Sequence, residues 1–131
     1  MRLKGKAKGA SGIPSSDRLY FLILLPKKIQ NSKCKAVFVS KDWSVGKVVD
    51  SVATVCDVVN KNNEMKAPKL RLFRKIDGTQ VSTDLNIIIN DLIINNNIAN
   101  GESLILEYID PNEDLLKFNL SNYDEYVEGE F

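Results

Sequence analysis

Histidine is absent from this 131-residue chain and cysteine occurs only at Cys34 and Cys56, which removes most of the side-chain chemistry that an enzyme of this size would use. A serine or cysteine nucleophile activated by imidazole needs a histidine, and a structural zinc site needs about four thiolate or imidazole ligands. Neither can be assembled, so no metal and no cofactor is expected. Lysine-based or carboxylate-pair chemistry is all that composition leaves open. Cys56 falls on an apolar stripe and reads as a small buried hydrophobe rather than a reactive thiol. The segment Trp43-Ser-Val-Gly-Lys resembles the tail of a phosphate-binding loop, but Lys41 stands where the first glycine of such a loop belongs and Val48 where its metal-binding Ser or Thr belongs. The chain therefore reads as a non-enzymatic protein that works by presenting a surface.

The composition, 44% hydrophobic and 27% charged, suits one globular core. A net charge of +1 conceals a polar layout: residues 1–48 hold 11 Lys and Arg against 2 acids, leaving 7 basic and 15 acidic residues for 49–131. Lys4, Lys6 and Lys8 lie among Gly, Ala and Ser, so residues 1–17 are expected to be a flexible basic linker. A basic arm attracts phosphate, yet these cations lack the interleaved aromatics of a nucleic-acid surface, and no nucleic-acid partner is expected. The apolar run 19–25 is too short to span a bilayer and precedes no small-residue cleavage site. A soluble monomer of the cytoplasm, or of the nucleus, is the expectation.

Five segments then position whatever surface is presented. The run 19–25 reads as a strand buried on both sides or lying beneath a helix, and 35–39 as its hairpin return. Val45, Val48, Val49, Val52, Cys56 and Val59 recur at three- and four-residue spacing, which predicts a helix from 44 to about 60 despite the poor helix propensity of valine. Ser44 is placed to cap it, and Trp43 to staple onto Val48. A strand from Lys69, with Leu70, Leu72 and Ile76 on one face and Arg71, Phe73 and Lys75 on the other, meets the Asp77-Gly78 turn and a short edge strand at 79–81. A short helix near 90–94 and a last strand at 103–109, with Leu104, Leu106 and Tyr108 facing the main helix, complete the order. Strand, strand, helix, strand, strand is the order of an α+β, ubiquitin-like β-grasp with a mixed four- or five-stranded sheet on one main helix. The domain is expected to span 18–110. Residues 111–131 form an acidic C-terminal tail, either disordered or turning weakly through Leu115, Leu116, Phe118 and Leu120.

If Leu70 and Leu72 face inward, Phe73 lies on the open face of the sheet beside Arg71 and Ile105. Aromatic and arginine side chains in such a patch dominate binding energy at interfaces. Arg71, Phe73 and Ile105, with Lys28 and Ile29 of the hairpin loop at the rim, are the expected partner-binding residues. Conjugation to other proteins is not expected, because no Gly-Gly end follows the last strand.

The segment Ser40-Lys-Asp-Trp-Ser-Val-Gly-Lys-Val-Val-Asp, then Asn60-Lys-Asn-Asn-Glu-Met-Lys-Ala-Pro-Lys-Leu-Arg-Leu, then Gly101-Glu-Ser-Leu-Ile-Leu-Glu-Tyr, resembles the C-terminal ubiquitin-like domain of arsenite-inducible AN-one-type zinc-finger proteins, over about 19–109. The resemblance implies a stress-response adaptor. Its zinc fingers, which engage the proteasome, precede this domain, and the domain recruits the hexameric AAA ATPase valosin-containing protein through that ATPase's N-terminal domain. Against ubiquitin, Phe73 matches the central isoleucine of the hydrophobic patch and Arg71 its neighbouring arginine, while Glu107 replaces the patch valine. The Phe-Pro-Arg loop of the related ATPase-binding UBX domains is absent, with Arg74-Lys75-Ile76-Asp77 in the corresponding turn. The alternative is a β-grasp module for a different protein, such as a ubiquitin receptor or a small GTPase, and behind it a phosphate or nucleic-acid binder using the basic strip Lys27, Lys28, Lys33 and Lys35.

Overall fold

Strand β1 (Arg18–Leu24) is apolar on both faces, and the computed structural model, which describes residues 3–27 and 34–112, places it inside a four-stranded sheet of order β2-β1-β4-β3. Strand β2 (Cys34–Ser40) returns antiparallel to it, with Leu24 opposite Cys34. On its other side β4 (Ser103–Ile109) runs parallel, with Leu24 opposite Ile105. Strand β3 (Lys69–Arg74) closes the sheet antiparallel to β4. This is the β-grasp that the element order predicts. The expected short edge strand is reduced to isolated bridging at 79–80, including Phe73 with Gln80, with Arg74 N–H donating to Thr79 O at 2.7 Å and Val81 N–H to Leu72 O at 2.9 Å.

Helix α2 (Val45–Val55) lays its valines on one face of the sheet, where Val48, Val49 and Val52 meet Phe21, Ile23, Val37, Leu70, Leu72, Leu104 and Leu106. A helix start leaves about four backbone amides without intrahelical partners. Here Lys47 N–H donates to the Ser44 hydroxyl at 3.2 Å, Val45 N–H to Ile87 O at 2.8 Å and Gly46 N–H to Leu85 O at 2.9 Å. The incoming loop comes so near that a Cβ on Gly46 would lie 3.3 Å from Leu85 O. The Trp-Ser-Val-Gly-Lys segment is thus a docking point for the 85–88 loop, which leads into α3 (Ile89–Ile94). The amides of Val45 and Gly46 are used by loop carbonyls and that of Lys47 by the Ser44 hydroxyl, which removes the phosphate-loop reading.

The helix ends earlier than the valine periodicity predicts. Asp57 takes a left-handed φ of 57°, Asp57 N–H donates to Thr54 O and Val58 N–H to Ala53 O, the paired bonds of a Schellman end. Val59, expected on the buried stripe, is 63% exposed for that reason.

Residues 3–17, expected from composition to be a flexible basic linker, carry some local structure. They contain α1 (Leu3–Lys6) and a 3-10 turn at Ser15–Asp17, and Lys8 pairs in parallel with Val37. Lys8 N–H donates to Ala36 O at 3.1 Å and Phe38 N–H to Lys8 O at 2.9 Å. Backbone bonds of this kind need no apolar side chains, so the lysine- and glycine-rich composition did not forbid them. They occupy part of the outer edge of β2, which an exposed strand otherwise leaves open to aggregation. The acidic tail beyond Asn112, with both readings of it, and the hairpin loop 28–33 lie outside the described residues.

Candidate interaction surface

The face of the sheet turned away from α2 carries the residues singled out from the sequence. Phe73 points to that face, as the alternation with Leu70 and Leu72 requires, and Ile105 stands directly across from it on β4. Both are 0% exposed, so neither is the solvent-facing anchor expected of it. They belong to a second apolar cluster with Leu22, Leu24, Cys34, Ala36 and Ile109. The reason is the two-sided apolar character of the strands: once β1 supplies leucines to both faces, each face must be removed from water. Arg71 is half-buried, one pleat along from Phe73, with Glu107 as its cross-strand neighbour, and its Nη1 donates to Leu70 O at 2.8 Å. Lys28 and Ile29 lie outside the described residues.

Glu107, where ubiquitin has a patch valine, is nearly buried and hydrogen-bonded to backbone. Its carboxylate accepts from Lys27 N–H at 3.0 Å and Tyr108 N–H at 2.8 Å. A buried carboxylate is tolerated when amides satisfy its oxygens. Glu107 therefore ties the end of β1 to β4. The outer edge of β3 is closed as well. Asn62 mimics a strand, accepting from Leu70 N–H at 2.6 Å through Oδ1 and donating to Leu70 O at 3.2 Å through Nδ2. The asparagine run that ends the helical region in sequence has this second use.

Among the described residues the exposed large apolar side chains are Val59, Met65, Ile76, Ile88 and Ile94, and of these Ile76 lies on the turn after β3. Ile76, which the sequence pattern extended along the strand, is 73% exposed because β3 stops at Arg74. Gly78, at φ 77°, donates its N–H to Arg74 O at 2.7 Å and closes the turn. Asp77 Oδ1 accepts from Thr79 N–H at 2.9 Å and from its hydroxyl at 2.6 Å. Arg74 grips Glu102 with two bonds, Nε to Oε2 at 2.5 Å and Nη2 to Oε1 at 2.9 Å, and that pairing raises the guanidinium pKa above its ordinary value. Lys75 N–H donates to Ser103 O. A branched apolar side chain is thus held out on a rigid turn between Lys75 and Asp77.

The cysteines sit on opposite sides of the sheet, Cys34 in the far cluster and Cys56 in the helix-side core. Burial pushes the Cys56 thiol up to about 11, against 9.0 ordinarily, which keeps it protonated and inert at neutral pH.

A family model described as the ZFAND1-like ubiquitin-like domain matches residues 38–110. Over 128 residues, 98% of the chain, the sequence is 37% identical to AN1-type zinc finger protein 1 of Mus musculus and 33% identical to the Homo sapiens protein of the same name. The chain spans 46% of the length of each relative.

Proposed function

The chain belongs to the ZFAND1-like ubiquitin-like domain family, and from that membership we propose that it is a non-enzymatic protein-interaction module recruiting the AAA ATPase valosin-containing protein, through the ATPase's N-terminal domain, to stress-linked protein quality control in the cytoplasm. The observation that carries this reading is the rigid turn displaying Ile76. The resemblance sets this turn against the ATPase-binding loop of UBX domains, whose Phe-Pro-Arg motif it lacks, so contact through the exposed Ile76 between Lys75 and Asp77 is a mode of this chain's own in the proposed reading. A pre-organised turn gives up little conformational entropy on binding, which is what makes one exposed side chain an effective anchor. The zinc finger for which the relatives are named has no ligand set in a chain with two cysteines and no histidine, so zinc and proteasome contacts are not part of the role proposed for this segment.

Titration of the labelled chain with the isolated ATPase N-terminal domain tests the reading. Saturable binding is expected, weakened by about 30-fold or more in Ile76→Asp, the loss of one hot-spot residue, with an unchanged melting temperature because the side chain is exposed. Absence of binding, or binding indifferent to Ile76→Asp, contradicts it. The ubiquitin-receptor alternative depends on the Phe73 face, which the fold keeps from solvent.

A further inference from the structure

The turn that leads into β4 joins a labile sequence to a restraint on its lability. Glu102 N–H donates to Ala99 O at 3.1 Å, closing a turn whose two central residues are Asn100 and Gly101. Gly101 has a φ of 92°, a left-handed value that favours glycine, so the turn itself calls for this residue. Asn100 is needed for another reason. Its side-chain oxygen accepts from Tyr20 N–H at 2.7 Å, and so does for the start of β1 what Glu102 O does for Leu22 N–H at 3.3 Å. Tyr20 O in turn accepts from Gly101 N–H at 2.7 Å. These two requirements, met at adjacent positions, produce the one Asn-Gly pair of the chain. Asparagine is a thermolabile residue, most of all before glycine, where no side chain shields the following amide nitrogen.

We propose that Asn100 is a spontaneous deamidation site which the native fold holds in an unreactive form, so that its conversion marks chains in which the 99–102 turn has come away from Tyr20. The reaction begins when the Gly101 nitrogen loses its proton and attacks Asn100 Cγ. The new C–N bond closes a five-membered imide, and Nδ2 leaves as ammonia. Water then opens the ring: attack at the main-chain carbonyl carbon gives an isoaspartyl linkage, and attack at Cγ gives an aspartate. One water is consumed and one ammonia released. The fold opposes the first step twice, because the proton on the attacking nitrogen is held by Tyr20 O and the carboxamide that must rotate over that nitrogen is held by Tyr20 N–H. Asn100 is exposed, so solvent reaches it, and the protection comes from these two bonds.

An isoaspartyl linkage lengthens the main chain by one methylene between residues 100 and 101, which breaks the register of both bonds to Tyr20. Glu102, next in the turn, accepts from Ala99 N–H at 3.0 Å and grips Arg74, so the disturbance passes to the turn after β3. The site is separate from Ile76 and stands or falls independently of the ATPase reading.

Incubation of the chain at mildly alkaline pH, folded or unfolded in guanidinium chloride, tests this when the peptide containing residue 100 is followed by mass spectrometry. Deamidation adds about one dalton, whereas isomerisation at Asp77-Gly78 proceeds through the same kind of imide and leaves the mass unchanged. The folded chain is expected to react at least about 10-fold more slowly than the unfolded one and in step with hydrogen exchange at the Gly101 amide, because both need the same local opening. Equal rates in the two states overturn the proposal, as does a folded-chain rate that stays constant while low denaturant accelerates exchange at Gly101. A second comparison isolates the two bonds. Asn100→Asp keeps an oxygen for Tyr20 N–H and should retain the exchange protection of the Tyr20 and Gly101 amides, and isoaspartyl chains, refolded after separation, should lose it. Protection kept by the isoaspartyl chains, or lost in Asn100→Asp, overturns the proposal.

Discussion

Phe73 shows how far one side chain's role depends on what lies above it. Alternation along β3 assigns it to the correct face, and register pairs it with Ile105, but the same side chain is an anchor if that face is open and core if it is closed. Its burial gives Phe73→Ala an expected cost of about 3–5 kcal/mol, read from urea denaturation; a loss within about 0.5 kcal/mol, typical of surface positions, contradicts the burial. Cys56 gives a prediction of another kind. Its folded-state pKa lies at about 11, above the ordinary 9.0. The unfolded chain therefore releases this proton first, and its contribution is complete below pH 9 and declines as pH rises towards 11. The slope is at most about 1.4 kcal/mol per pH unit. Tyr108, also raised above its ordinary 10.0 chiefly by burial, acts with the same sign at higher pH. Urea midpoints measured from pH 8 to 10 should fall, and Cys56→Ala should flatten the fall; an unchanged slope in that variant would assign it to other groups.

The elements themselves were largely legible because each has a local cause. Ser44 marks the start of α2 and does cap it, the 103–109 strand has the predicted bounds, and the valine stripe outweighs valine's weak helix propensity because it is buried. The end of α2 was not legible, since Val59 keeps the period while the backbone has already reversed at Asp57. At φ 57° any side chain costs more than glycine, even Asp, which visits this region more readily than most, and a carboxylate at a helix C-terminus opposes the helix dipole. Asp57→Gly should accordingly stabilise the fold by about 0.5–1 kcal/mol in thermal or urea denaturation; destabilisation would mean that the aspartate makes a contact worth more than this strain. Capping by Asn62 and by Lys8 was equally hidden. Both join β-strands to residues whose composition signals only solubility, through bonds that carry no hydropathy pattern.

Over the whole molecule, one sheet is apolar on two sides and its outer strands carry capping pairs from the chain itself. Helix α2 covers the first side, a relation readable from sequence because helix and strands share a matching apolar period. The second side is withdrawn from water as well, Phe73 and Ile105 being fully buried, and the clue available was the unbroken apolar run of β1, where leucines occupy both parities. On the proposed reading, closing both sides moves the binding role from the sheet face to the turn holding Ile76, a residue that a strand extended past Arg74 would have aligned with Leu70 and Leu72. Mapping amide shifts of the labelled chain during titration with the ATPase N-terminal domain tests this transfer most directly. The account predicts changes concentrated at 74–79 and at Glu102 and Ser103, and changes centred on Leu24, Phe73 and Ile105 with the turn silent would contradict it.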